Sequence, residues 1–114
     1  MIEFDDFARV DMRVGRITAA QPLAGARKPS YQLRIDFGAE VGERDSAAQL
    51  TLTYPEPAAL IGRQVVAVVN FPPRRIAGFS SQVLVLGAMG ESDQAGEVWL
   101  LEPNPEAPLG AQIG

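Results

Sequence analysis

"TYPEPAALIGRQVVAVVNFPPRRIAGFSSQVLVLGA", residues 53–88, contains the element order on which the fold turns. Its opening predicts a short helix: the prolines suit a first turn, "AALI" (58–61) supplies apolar positions and Gly62 supplies a stop. "QVVAVVNF" (64–71) and "QVLVLGA" (82–88) are continuous apolar runs rich in β-branched residues, the pattern of strands buried on both faces. Between them, "NFPPRRIAGFSSQ" (Asn70–Gln82) sets two prolines, adjacent arginines, a glycine and two phenylalanines in what reads as a loop.

Upstream, the chain reads as strand. In "YQLRIDF" (31–37), Leu33, Ile35 and Phe37 alternate with Gln32, Arg34 and Asp36, giving one buried and one wet face. "MRVGRITAA" (12–20) precedes it, with Gly15 where a strand bends or bulges. "GAEVGERDS" (38–46) reads as the turn to a third strand, "AQLTL" (48–52), and "EVWLLEP" (97–103) as one more short strand before a proline-spaced tail. Three strands, a short helix and two strands is the order of the five-stranded OB-fold, a Greek-key barrel that gives both apolar runs an interior and hides sheet edges. An SH3-like barrel is the alternative, but it uses the helix less naturally. The expected fold is therefore all-β.

Length and composition agree with one domain over residues 1–114. A chain of 114 residues buries roughly two thirds of its unfolded surface, and 46% apolar with 21% charged residues is ordinary for a soluble globular domain. The longest apolar stretch is too short for a membrane span. The acidic start "MIEFDDFARVD" lacks the basic and apolar regions of a signal peptide, so a cytoplasmic location is expected. Without cysteine there is no disulfide, thiolate nucleophile or sulfur metal site, and without histidine the commonest general base is missing. Catalysis would rest on carboxylates, Lys28, Tyr31, Tyr54 or serines, and no nucleotide-binding or nucleophile-elbow motif is present. A binding protein without metal or cofactor is the expectation, not an enzyme.

Ten basic against fourteen acidic residues give a net charge of −4, which in bulk repels nucleic acid. The distribution is uneven. Seven acids stand at Glu3, Asp5, Asp6, Asp11, Glu40, Glu43 and Asp45, whereas Arg27, Lys28, Arg74 and Arg75 stand in acid-free segments. A basic surface on an acidic body is compatible with this arrangement.

"FARVDMRVGRI", "KPSYQLRIDFG", "SAAQL", "VVAVVNFPPRRIAGFSSQVLVLGA" and "EAPLGAQIG" together resemble the tRNA-binding domain family. The likeness is to its CsaA-type secretion chaperones. The family also includes the C-terminal appendices of some methionyl- and phenylalanyl-tRNA synthetases. The resemblance covers nearly the whole chain and implies an OB-fold homodimer. It assigns RNA contact to Asn70, Arg74, Arg75 and Ser81, position by position. Synthetase-type domains tend to read glycine–methionine after that serine, whereas this chain reads "SQVLVLG", so contact through the methionine does not carry over to Val83 and Leu84.

Beside the resemblance, each residue keeps a plain reading. Arg74 and Arg75 are either a solvated pair or guanidinium forks for phosphates and bases, on a loop that Pro72 and Pro73 stiffen. Arg27 and Lys28 are a polar turn or part of the same basic surface. Tyr31 and Gln49 read as a cross-strand pair on the wet face, where OB-folds bind ligands. Phe71 and Phe79 are core plugs or, with Ile76, a surface for apolar peptide, and Phe71 is the better plug. Asp5, Asp6 and Asp11 favour solubility or cap an N-terminal turn. Two functional classes stand: a tRNA-binding or single-strand-binding module, and an ATP-independent chaperone-like binder of unfolded or pre-secretory polypeptide.

Overall fold

The computed structural model describes residues 1–91 and 97–114. A one-turn helix α1 (Phe4–Ala8) leads into strands β1 (Met12–Pro22) and β2 (Tyr31–Asp36). Helix α2 (Gly38–Val41), β3 (Glu43–Ala48), a 3-10 turn (Pro57–Leu60) and β4 (Gln64–Val68) follow. Then come β5 (Arg74–Ile76), β6 (Phe79–Ser81), β7 (Leu84–Val85), β8 (Gly87–Met89) and β9 (Val98–Leu100). Five strands form an antiparallel sheet in the order β3-β2-β1-β4-β7, which curls until β7 lies beside β3. This nearly closed barrel is of the OB-fold type, with the 3-10 turn between its third and fourth strands.

The interior is built from the alternation on β2 and from β4. Leu33, Ile35 and Phe37 point inward with Ile17, Leu60 and Val65, each at most 1% exposed. Burying side chains of this size contributes about 1.5–3 kcal/mol apiece. β4 is buried at all five positions, the apolar run Val65–Val68 together with Gln64. Gly15 permits this packing, because a Cβ there would lie 2.6 Å from Ile35 Cγ2 and 2.7 Å from Phe37 Cε1.

The barrel closes mostly through side chains. The Gln82 N–H donates to the Asp45 carbonyl at 2.8 Å, and the Asp45 N–H returns to Gln82 Oε1 at 2.8 Å. The Ala47 N–H donates to Ser81 Oγ at 2.9 Å, and the Ser46 hydroxyl donates to the Val83 carbonyl at 3.1 Å.

The C-terminal segment packs on β1. Residues 110–113 run antiparallel to its start: the Val14 N–H donates to the Ala111 carbonyl, the Gly110 N–H to that of Val14 and the Ile113 N–H to that of Met12. Arg13 bonds the Gly110 carbonyl at 3.1 Å and pairs with Asp11 at 2.6 Å; that hydrogen bond raises its pKa further. At the other flank, the Glu3 N–H donates to Asp6 Oδ2, so Asp6 caps α1 as expected.

Several expectations need correction. The third strand is "ERDSAA", not "AQLTL", and "GAEV" within the expected turn is a helical turn. Gly38 and Gly42, at φ 85° and 80°, let the chain reverse earlier, pairing Asp36 with Glu43. The strand escapes an apolar pattern because its inward position holds Ser46, wholly buried yet hydrogen-bonded. "QVLVLGA" is not one doubly buried strand: it divides into β7 and β8, β8 pairs with β9 in a separate ribbon, and Leu84 is exposed. The loop Asn70–Gln82 contains the hairpin β5–β6.

Gly15→Ala should lower stability by about 1–3 kcal/mol, the usual cost of overpacking, because the new methyl must displace Ile35 and Phe37. Urea unfolding followed by circular dichroism measures it, and an unchanged midpoint would show that the ring and methyl yield freely.

Candidate nucleic-acid interface

The loop from β1 to β2 and the β5–β6 hairpin stand at one end of the barrel. The Leu23 N–H donates to the Ser30 carbonyl, pinching the loop at its base, and Gly25 at φ 82° turns its tip. In the hairpin, Arg74, Arg75 and Ile76 pair with Ser81, Ser80 and Phe79 across the two-residue turn Ala77-Gly78. Both turn residues have positive φ, 52° and 81°, as a type I′ turn requires. The two tips meet, since a Cβ on Gly25 would lie 3.7 Å from that of Ala77.

Between these walls lies a groove of about 1000 Å³. Arg27 and Lys28 line one wall and Arg74 and Arg75 the other. All four are exposed and, among the described residues, none forms an ion pair and no carboxylate lines the groove. Buried Leu50 and Leu100, with Val85 and Ile76, form an apolar floor. A second groove of about 460 Å³ is lined by Phe71, Pro72, Pro73, Val83 and Leu84. Arg74, Ile76 and Leu84 line both.

The groove therefore unites Arg27, Lys28, Gln49, Arg74, Arg75 and Ile76 of the sequence-predicted residues. Asn70 and Ser81 are placed otherwise. Asn70 Oδ1 accepts the Asp11 N–H at 2.9 Å and its Nδ2 donates to the Arg9 carbonyl at 2.8 Å, so the amide ties the N-terminal segment to the end of β4. Ser81 is 9% exposed and its hydroxyl belongs to the barrel seam. Tyr31 is not on the wet face. It pairs with Ala48 rather than Gln49, is 4% exposed, and its hydroxyl donates to the Tyr54 carbonyl at 2.8 Å. Burial pushes its phenol above the ordinary value, with Glu56 adding to the shift. Gln49 lies beyond the end of β3, exposed. Phe71, expected as a plug, is 48% exposed, because β4 turns out of the barrel before reaching it; Phe79 is half-buried and lines neither groove.

The outer face of β2 and β3, the usual OB-fold platform, is electrostatically occupied. Arg34 meets Asp45 at 2.9 Å and Glu43 at 3.7 Å, and the hydrogen bond to Asp45 raises its pKa. Arg34 is thus engaged by its own acids, whereas the four groove cations have no ion-pair partner among the described residues. Leu84 and the turn Ala77-Gly78 escape a motif search. Two short β-prone runs around "AG" are the available signal for the turn, and the departure at "SQVLVLG" is that for Leu84. Among the described residues no cluster of acidic side chains is placed to hold a metal, and no helix is long and apolar enough to cross a membrane.

Ala77→Asn should raise stability by about 1 kcal/mol, since alanine at positive φ carries left-handed strain that asparagine tolerates. Thermal unfolding measures the gain, and a lowered Tm would show that the Ala77 methyl is needed at the tip.

A family model, the tRNA binding domain, matches residues 12–112. The crystal structure of chaperone CsaA from Bacillus anthracis is 51% identical with a TM-score of 0.88, covering 100% of this chain and 99% of that one. That of the CsaA chaperone protein from Picrophilus torridus is 41% identical with a TM-score of 0.89, covering 100% of each. Methionine–tRNA ligase of Enterococcus faecalis is 39% identical over 87 residues, 76% of this chain; the chain spans only 13% of that ligase's length.

Proposed function

Since the chain belongs to the tRNA-binding domain family, we propose that the groove between residues 25–28 and the β5–β6 hairpin binds structured RNA of the tRNA class. The observation that carries this reading is the convergence of Arg27, Lys28, Arg74 and Arg75 on one groove that no carboxylate lines among the described residues, in a chain of net charge −4. Guanidinium forks suit phosphate oxygens. Pro72 and Pro73 limit the entropy lost when the hairpin's approach is ordered. Asn70 and Ser81 act as positioning residues, one holding the chain before the hairpin and the other its far strand. The acidic remainder opposes long-range attraction, so recognition follows shape more than bulk charge and reads few base edges. Such a role is exercised in the cytoplasm.

Four phosphate contacts give a slope of log K against log salt of about −3, hence a roughly sixty-fold loss of affinity between about 50 and 200 mM salt. Arg74→Ala with Arg75→Ala should halve the slope to about −1.5 and weaken tRNA binding at least about tenfold. Gel shift across a salt series measures both. Unchanged affinity in a folded double variant would refute the assignment.

A second reading, ATP-independent binding of unfolded or pre-secretory polypeptide, is favoured by the apolar floor, by the adjoining groove beside Phe71 and Ile76, and by full-length similarity to two CsaA chaperones. On the same sample, equimolar protein should suppress a client's light scattering without nucleotide; unaltered scattering removes this reading and leaves the first.

We also propose a homodimer. The C-terminal tail finds cover on β1 of its own chain, which leaves Met1, Ile2, Phe4, Trp99 and Leu101 exposed as the apolar surface to be buried. Sedimentation equilibrium at micromolar concentration should give twice the 12.2 kDa chain mass, and a monomer would refute the dimer.

A further inference from the structure

Phosphate contacts position a nucleic acid without distinguishing ribose from deoxyribose, and the groove has few other means of discrimination. No aromatic side chain lines it among the described residues, so base stacking has no platform there. Among the described residues, its uncharged polar side chains are Ser30 and Gln49. Ser30 is 7% exposed, and its hydroxyl already donates to the Lys28 carbonyl at 2.9 Å. Gln49 is exposed and makes no hydrogen bond with another described residue.

The backbone beneath Gln49 is held from both sides. Ala48 is in the ladder opposite Tyr31, while Leu50 is 2% exposed and its carbonyl accepts the Tyr54 N–H at 2.9 Å. The amide is therefore presented from a fixed point. It lines the same groove as Arg27, Lys28, Arg74 and Arg75 and is exposed as they are, whereas Leu50 and Leu100 of that groove are buried. A strand whose phosphates meet these cations brings its sugars into the groove that Gln49 also lines. A carboxamide offers one acceptor and two donor hydrogens, and the ribose 2′-hydroxyl both donates and accepts. The two groups match as a reciprocal pair.

We propose that Gln49 is the specificity-determining residue that distinguishes RNA from DNA in this groove, by hydrogen bonding to a ribose 2′-hydroxyl. The inference rests on the RNA-binding reading and adds to it a sugar preference carried by one side chain. Gln49 stands outside the buried core and outside the seam, so its replacement leaves the fold and the four cations in place.

The test uses fluorescence anisotropy with a labelled single-stranded RNA of about twelve nucleotides, within the site size of an OB-fold. Its 2′-O-methyl counterpart and the DNA of the same sequence are compared with it, and tRNA serves as a control. The full-length wild-type chain should bind the RNA roughly five- to tenfold more tightly than either analogue, the effect of about one hydrogen bond. Gln49→Ala should bind all three alike, at the wild-type DNA level, with its salt slope unchanged. Retention of the ribose preference in Gln49→Ala overturns the proposal, as does a loss that is equal for RNA and DNA or that depends on base identity. A wild-type chain that binds tRNA with the salt slope given above yet shows no sugar preference, or does not bind the single-stranded RNA at all, overturns this inference alone. If the wild type binds neither tRNA nor the oligomers, the RNA-binding reading itself falls.

Discussion

Closure of the barrel between β3 and residues 81–83 is the constraint on which the rest of the structure depends. A continuous ladder would need β3 and β7 to run side by side over their length, but β7 has only two residues. One backbone bond and three bonds involving Gln82, Ser81 and Ser46 side chains replace it. Each holds a polar group at or near the core whose loss of partner costs about 1–3 kcal/mol. Because Ser81 ends β6, the same bonds that close the barrel set the hairpin against the groove. Wall and barrel are thus one mechanical unit, and the arginines of β5 inherit its rigidity.

Charge placement follows from this division of labour. Three arginines are spent on the body: Arg13 holds the tail through Asp11 and Gly110, Arg34 neutralises Asp45 and Glu43, and Arg63 meets Glu102 at 2.8 Å while lying over the Tyr54 ring. The groove cations have no such partners among the described residues. A concave, apolar-floored site focuses their field. Screening within about 10 Å at moderate salt limits how far the acidic body is felt there. A net negative protein can in this way keep a positive site.

Much of the fold was legible in the sequence because alternation on β2 and the unbroken run of β4 express burial directly. β3 was not legible: its inward residue is a serine satisfied by a carbonyl 37 positions later, a pairing that no local pattern announces. β7 and β8 looked like one strand because apolar residues fill both a core position, Val83, and an exposed groove position, Leu84. The basic residues of the site were legible as types and segments. Their convergence was not, since it depends on the tips of two distant loops meeting at Gly25 and Ala77. Tyr31 and Gln49 were separated by a register difference of one residue, enough to send one side chain into the core and leave the other exposed.

The pairing of residues 110–113 with the start of β1 bears on how the chain is made. Arg13 and Gly110 are 97 positions apart, so during synthesis β1 is complete long before the segment that covers this edge has left the ribosome. β2 and β3 can close their hairpins early, while the edge of Met12–Val14 stays open as a template for strand addition. Charged side chains beside an open edge disfavour strand addition, and Asp11, Arg13 and the acidic helical turn stand beside this one. The contacts of residues 110–113 are therefore also those that close this edge to strand addition.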